Sequence, residues 1–221
     1  MRNIQKQSEP ISLTRHRCRS NSNYGNYAEK DDLRTSLVSE QRGICCYCMR
    51  RIYPTLEKMK IEHCQSQSPN KFPAKQLDYT NLLGACLGGL GKPRRDQHCD
   101  TRKGDDDISF NPANSKHDVE RLFKFPGTGR IEAINANDKQ LQSEIDEVLN
   151  LNHSILVDNR KAVIDSFTEF LRREKVRDVD LPKYLATWEG KNGGELEPFC
   201  QVVVYYLRKK IDRMASKRTS K

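Results

Sequence analysis

The sequence predicts an α+β fold, in which a small metal-stapled core with short strands is followed by a largely helical C-terminal region. Three observations predict it. Six of the eight cysteines fall between Cys45 and Cys99, two of them in a Cys-x-x-Cys pair. Apolar residues after position 140 recur at three- and four-residue intervals. Stretches rich in glycine or proline, at 84–93, 126–129 and 190–194, punctuate the chain between these parts. Composition sets the limits. Of 221 residues 35% are hydrophobic and 31% charged, so the core is modest and the surface polar. Lys and Arg outnumber Asp and Glu by 39 to 30, a formal net charge of +9. A basic balance favours a polyanionic partner such as nucleic acid, although a solvated basic surface gives the same count. The polar opening does not read as a secretory signal, and no stretch approaches the roughly 20 apolar residues that span a bilayer. A cytoplasmic protein with no membrane partner is expected. There, clustered cysteines point to metal rather than to disulfides.

Taken in order, residues 1–34 read as a basic N-terminal arm, extended over 1–25, with Arg15, Arg17 and Arg19 among Ser and Asn. Residues 31–42 suit a short helix ending near Gly43, with Leu33, Leu37 and Val38 on one side. Residues 35–110 form the metal-dependent core. A tight knuckle is expected around Cys45, a short strand over 59–63, and loops over 65–76 and 84–93. Residues 111–221 are mainly helical. Segments 123–125 and 130–134 flank Pro126-Gly127-Thr128-Gly129 as a hairpin. Leu141, Ile145, Val148 and Leu149 follow helical spacing, as do Val163, Phe167, Phe170 and Leu171. Phe199, Val203, Tyr206, Leu207 and Ile211 form a third stripe. Each stripe is a packing face, either for the chain's own core or for a docked partner.

Cys45 and Cys48 can turn both sulfurs toward one ion, whereas Cys46 and Cys48 are less well placed. Cys86 and Cys99 supply two further thiolates. Four soft ligands in a tetrahedral set suit structural Zn2+. The twelve residues between Cys86 and Cys99 exceed the usual knuckle spacing, but a glycine-rich insertion can loop out between fixed ligands. His98 is an alternative to one thiolate, and a set of buried, inert cysteines is the bland reading. Beside this set stand Glu62-His63 and, directly after Cys99, Asp100. Two carboxylates brought together by a zinc knuckle suit a hard divalent cation, Mg2+ or Mn2+. An imidazole titrates near neutral pH and suits a general base that activates water for phosphodiester hydrolysis. Arg94, Arg95, Arg102 and Lys103 flank this segment and are the expected phosphate contacts.

The ordered set is Cys45-x-x-Cys48, Glu62-His63, Asn81-Leu82-Leu83, Cys86, then Cys99-Asp100-Thr101-Arg102-Lys103-Gly104. It resembles the HNH, or ββα-metal, endonucleases of the cysteine-containing type. The resemblance covers about residues 43–105. It implies His63 as catalytic general base, Asn81 as the residue holding the loop that orients it, and Glu62 and Asp100 as ligands of the catalytic metal. It also implies Lys103 near the scissile backbone, and products ending in 5′-phosphate and 3′-hydroxyl. DNA is the expected substrate, with a structured RNA such as tRNA the alternative. The opening Met1-Arg2-Asn3-Ile4, the approach Glu40-Gln41-x-Gly43-x-Cys45 and the ending His98-Cys99-Asp100 further resemble the HNH subunit of Septu-type anti-phage systems, which also accompanies certain retrons. That implies an ABC-type ATPase partner and, in the retron setting, a reverse transcriptase with its DNA–RNA product. Two features depart from the pattern: Asp100 stands where many such enzymes carry Asn or His, and no proline follows His63. A non-catalytic zinc module that binds nucleic acid would keep the cysteines and the basic residues without needing Glu62, His63 and Asp100 together. A pure assembly subunit would need only the helices.

Overall fold

The computed structural model describes residues 1–68 and 71–219. Pro69 and Asn70 of the expected 65–76 loop, and the last two residues of the basic tail, lie outside them. The fold is of the α+β class. Helix α1 (Ile11–Arg17) opens the chain where an extended arm was expected. It forms because Leu13 and His16 fall on one side and are buried, Leu13 joining a cluster with Tyr27, Leu33, Leu37, Tyr79 and Leu82. The segment before it is also pinned: Met1 is fully buried and the Ile4 amide donates to the Pro112 carbonyl at 2.8 Å.

Helix α2 (Lys30–Glu40) has Asp31 and Asp32 in its first turn, where carboxylates favour the helix dipole. Its C-terminal exit places Gly43 at a φ of 79°, a conformation that suits glycine. Gln41 then welds this end to the strand pair. Its amide nitrogen donates to Ile44 O and Gly84 O, both at 2.8 Å, and its Oε1 accepts from Gly84 N.

Strands β1 (Lys60–His63) and β2 (Leu82–Ala85) pair antiparallel, with Lys60 opposite Ala85 and His63 opposite Leu82. The start of the expected 84–93 loop is therefore strand, because Leu82, Leu83 and Ala85 are all buried against the core. Helix α3 (Cys99–Lys103) follows the glycine-rich loop. Helix α4 (Val119–Leu122) leads into the small hairpin of β3 (Phe123–Lys124) and β4 (Glu132–Ala133), at the place the sequence pattern indicates. Helix α5 (Lys139–Ser143) continues as a wider π turn through Val148.

Helix α6 (Ser154–Arg173) buries Leu156, Ile164, Phe167 and Leu171, and also Arg160, whose guanidinium donates to the carbonyls of Gly129 and Leu151 at 2.5 and 2.7 Å. Helix α7 (Leu181–Trp188) was not anticipated; its Pro182 lies in the first turn, where a missing N–H costs nothing. Helix α8 (Cys200–Thr219) closes the chain. One continuous cluster of buried apolar side chains runs from Cys45 and Met49 through Phe110 and Ile145 to Phe199 and Val202. Of the third stripe, Phe199, Val203 and Leu207 are buried within the chain, while Tyr206 and Ile211 are only partly buried.

Candidate metal centre and active site

The Cys45–Cys48 turn is a true knuckle. Cys45 N donates to Arg50 O, Met49 N donates to Cys45 O, and Met49 takes a φ of 65°. Cys86 leaves the end of β2, and its amide points at Cys45 Sγ, 3.3 Å away. Cys99 opens α3. The insertion between them loops out as the spacing requires: His98 N donates to Gly88 O at 2.9 Å and closes it at the base. Gly88 has a φ of 54°, and a side chain there would collide with the His98 carbonyl.

The four sulfurs of Cys45, Cys48, Cys86 and Cys99 are buried and lie within 4.8 Å of one another. Cys45 to Cys99 is 4.0 Å and Cys48 to Cys86 is 3.7 Å. A disulfide needs about 2 Å. Four thiolates at about 2.3 Å from one zinc stand roughly 3.8 Å apart at tetrahedral angles, close to what is seen. The set could hold a structural metal such as zinc. Burial raises the Cys45 thiol, but hydrogen bonds from Cys46, Cys48, Cys86 and Cys99 outweigh it and hold it well below the usual thiol value. Cys99 is pushed well above that value by burial and then by its neighbours. His98 lies outside the four, its Nδ1 3.3 Å from Cys99 Sγ. Cys64 stands apart, facing the Phe110 carbonyl, and burial pushes it up to about 12.

The strand pair and α3 bring the Glu62 and Asp100 carboxyls together, with the His63 ring near enough to feel the Asp100 charge. Glu62 is 1% exposed and accepts a 2.7 Å hydrogen bond from the Tyr47 hydroxyl. Burial, then the facing Asp100 carboxyl, push it well above the usual carboxylate range. Burial works to raise Asp100 as well. Hydrogen bonding with Glu62 and the charges of Lys60 and Lys103 outweigh this and leave it below its usual value. Lys60 pairs with Asp100, and Lys103 with Glu62 at 3.1 Å. Each carboxyl is thus faced by an ammonium group. Among the described residues no third His, Cys or carboxylate joins the pair in a metal-ready group. A hard cation bound there would take two carboxylates and water. It would displace Lys60, whose side chain is 33% exposed and can swing out, whereas the fully enclosed Lys103 cannot.

His63 Nε2 lies 3.0 Å from Gln76 O. A carbonyl only accepts, so Nε2 carries the hydrogen and Nδ1 the lone pair. Burial pushes His63 down to about 4, so the ring is neutral at neutral pH. Asn81 straps the backbone that follows: its side chain accepts from Gln65 N and donates to Gln65 O and Lys75 O, at 2.8 to 3.0 Å. The Tyr24 ring stands edge-on against His63, centroids 4.5 Å apart, and the imidazole is left 6% exposed.

The expected phosphate contacts divide. Arg94 and Arg95 are exposed on the insertion loop, in ion pairs with Asp106 and Asp96. Arg102 donates to the carbonyls of Glu147 and Arg94. Lys103 is corrected: it is 1% exposed, its ammonium spent on Glu62 and on the His63 carbonyl, so it is not a surface phosphate contact. Tyr24, Tyr47, Lys60 and the Gln76 carbonyl were missed. Lys60 alone was legible, since two positions before Glu62 it shares that face of a strand. No described helix is long and apolar enough to cross a membrane. Compared with known proteins, the chain matches no family model and no curated sequence.

Proposed function

We propose that this chain is a metal-dependent HNH endonuclease that hydrolyses phosphodiester bonds of nucleic acid, with a structural zinc held by Cys45, Cys48, Cys86 and Cys99. The observation that carries the reading is the state of His63. Its Nε2 is occupied by the Gln76 carbonyl, which leaves the lone pair of a neutral ring on Nδ1, and the imidazole feels the charge of Asp100. The order strand, strand, helix, with Glu62 and His63 on β1, Asn81 at the head of β2 and Asp100 on α3, supports it. In this mechanism His63 Nδ1 accepts a proton from the water that attacks phosphorus. Asn81, by holding the 65–76 backbone, keeps the Gln76 carbonyl against Nε2 and so fixes the tautomer. Mg2+ or Mn2+ held by Glu62 and Asp100 would stabilise the charge that develops on the phosphate and its leaving oxygen. Lys103 fixes the Glu62 carboxylate from below. DNA is the favoured substrate and RNA such as tRNA the alternative. The resemblance to Septu-type and retron-associated subunits supports an anti-phage role with an ABC-type ATPase, beside a reverse transcriptase and its DNA–RNA product in the retron setting.

A second reading is favoured by two particular observations: His63 is covered by Tyr24, and each carboxyl already faces a lysine ammonium group. Both suit a non-catalytic zinc module that binds nucleic acid. The two separate in a cleavage assay on plasmid DNA and total RNA with Mg2+ or Mn2+. The nuclease reading expects cleavage that falls at least about 100-fold in His63→Ala, with folding and zinc content unchanged. A wild-type chain inert on both polymers, alone and with its co-purifying partner, supports the binding module instead.

A further inference from the structure

Helix α8 carries a second feature, distinct from its buried stripe. Tyr205, Lys209, Arg213 and Lys217 stand at four-residue spacing and therefore line one face, roughly 6 Å apart along the axis. Lys209, Arg213 and Lys217 are exposed, and none has a carboxylate partner among the described residues. Most other cations nearby are committed. Arg208 pairs with Glu120 and Glu189, Lys210 with Asp178, and Arg121 with Asp118. A cleft of 1140 Å³ runs along one side of this ridge, between α8 and the α4–β3–β4 hairpin, and a second of 420 Å³ runs along the other. Tyr205, Lys209 and Arg213 line both. The floor of the larger cleft is apolar, built of Phe123, Tyr205 and Ile134, the last 49% exposed. Of its three carboxylates, Asp118 and Glu120 are held in ion pairs, which leaves Asp212 to set against three cations without a carboxylate partner, of which Lys209 lies over the Tyr205 ring, 5.8 Å from its centroid.

We propose that this ridge and the cleft beside it bind single-stranded nucleic acid, the three cations following the phosphates and Tyr205 offering a face on which a base stacks. A row of cations at helical-turn spacing matches a chain of repeated negative charges better than one compact anion. The apolar floor selects a strand with unstacked bases over a duplex, whose bases are already covered. An aromatic platform beside a cationic track is the general means by which proteins hold single strands without reading sequence. The proposal rests on the reading above only in the class of polymer. It concerns binding, and it places the grip for the strand on α8 instead of on the Arg94–Arg95 loop.

The test uses the full chain in a His63→Ala background, so that nothing is cut, without chelator, so that the zinc set is undisturbed. Fluorescence anisotropy measures binding of labelled mixed-sequence single-stranded DNA, single-stranded RNA and duplex DNA across a salt series. Three exposed charge reversals, Lys209→Glu, Arg213→Glu and Lys217→Glu combined, should weaken single-strand binding at least tenfold. They should also reduce the dependence of log K on log salt by about 2, the loss of three single-strand phosphate contacts. Tyr205→Leu, which keeps apolar bulk but no ring, should weaken binding about tenfold with the salt dependence unchanged. Duplex should bind more weakly than either single strand. An unchanged affinity and salt dependence in the triple variant overturns the proposal, as does equal or tighter binding of duplex. So does a ridge that captures an acidic peptide while leaving the oligonucleotide unbound. The hydrolysis reading is judged separately: if the triple variant loses binding while the native chain never cleaves, the ridge stands and the nuclease assignment falls.

Discussion

Lys103 and Arg102 are neighbours in sequence and opposites in environment. Successive residues of a helix point about 100° apart, so in α3 one cation reaches the carbonyls of Glu147 and Arg94 while the next is enclosed under Glu62. Five residues are too few for a periodicity to be read, which is why the sequence pattern grouped both as surface contacts. The Cys45–Cys48 spacing was legible because a knuckle is local, whereas the Tyr24–His63 contact joins residues 39 positions apart and leaves no signal in either segment. The enclosed pair has a measurable weight. Lys103→Met strands Glu62 in the interior without its cation and should cost on the order of 3 kcal/mol, read by urea unfolding. Lys60→Met should cost less than about 1 kcal/mol, because its ammonium is partly in water. Equal losses in the two variants would show that Glu62 does not depend on Lys103.

Among the elements, β1, the 123–134 hairpin, α2, α6 and α8 follow from apolar spacing and turn residues, and each lies close to where the sequence sets it, whereas β2 was not anticipated because its four buried residues run into a glycine-rich stretch. Helix α1 escaped notice because seven residues with one buried apolar side chain carry no stripe, and α7 because Pro182 reads as a breaker until it is placed in a first turn. What the third stripe packs against was not readable from spacing, since a core face and a docking face have the same periodicity. Burial shows that Phe199, Val203 and Leu207 pack inside the chain, and hydrogen bonds hold the segment before them. Leu196 N donates to Arg42 O, Phe199 N donates to Met49 O, and Arg51 reaches the Leu196 carbonyl at 2.7 Å. The segment leading into α8 is thus stitched to the cysteine knuckle. A chain truncated before Gly193 loses the burial of Phe199, Val202, Val203 and Leu207, at about 1.5–3 kcal/mol each. That sum is comparable to the whole stability of a typical domain. The truncated chain should be insoluble or should purify with little zinc; a soluble, zinc-loaded product would show that the knuckle stands without α8.

At the scale of the molecule, the buried cysteines and the helical region share one apolar cluster, so metal binding and the fold of the whole should be coupled. Elemental analysis should give about one zinc per chain. Stripping it with a strong chelator should collapse helical circular dichroism across the chain in a single transition. A metal-free chain that keeps its helical signal would place the four cysteines outside the cooperative unit. The stitching of Phe199 to Met49 also has a bearing on synthesis. The last thiolate, Cys99, is made 100 residues before Phe199 (199 − 99), which at ordinary elongation rates is a delay of about 5–20 s. Throughout that interval the nascent chain carries all four cysteines of the candidate metal set but not the segment that covers them. The ribosome therefore exposes a complete set of thiols to the surrounding metal pool and to oxidants before the fold can close over it, and the order in which ion and tail arrive is settled by the clock of translation.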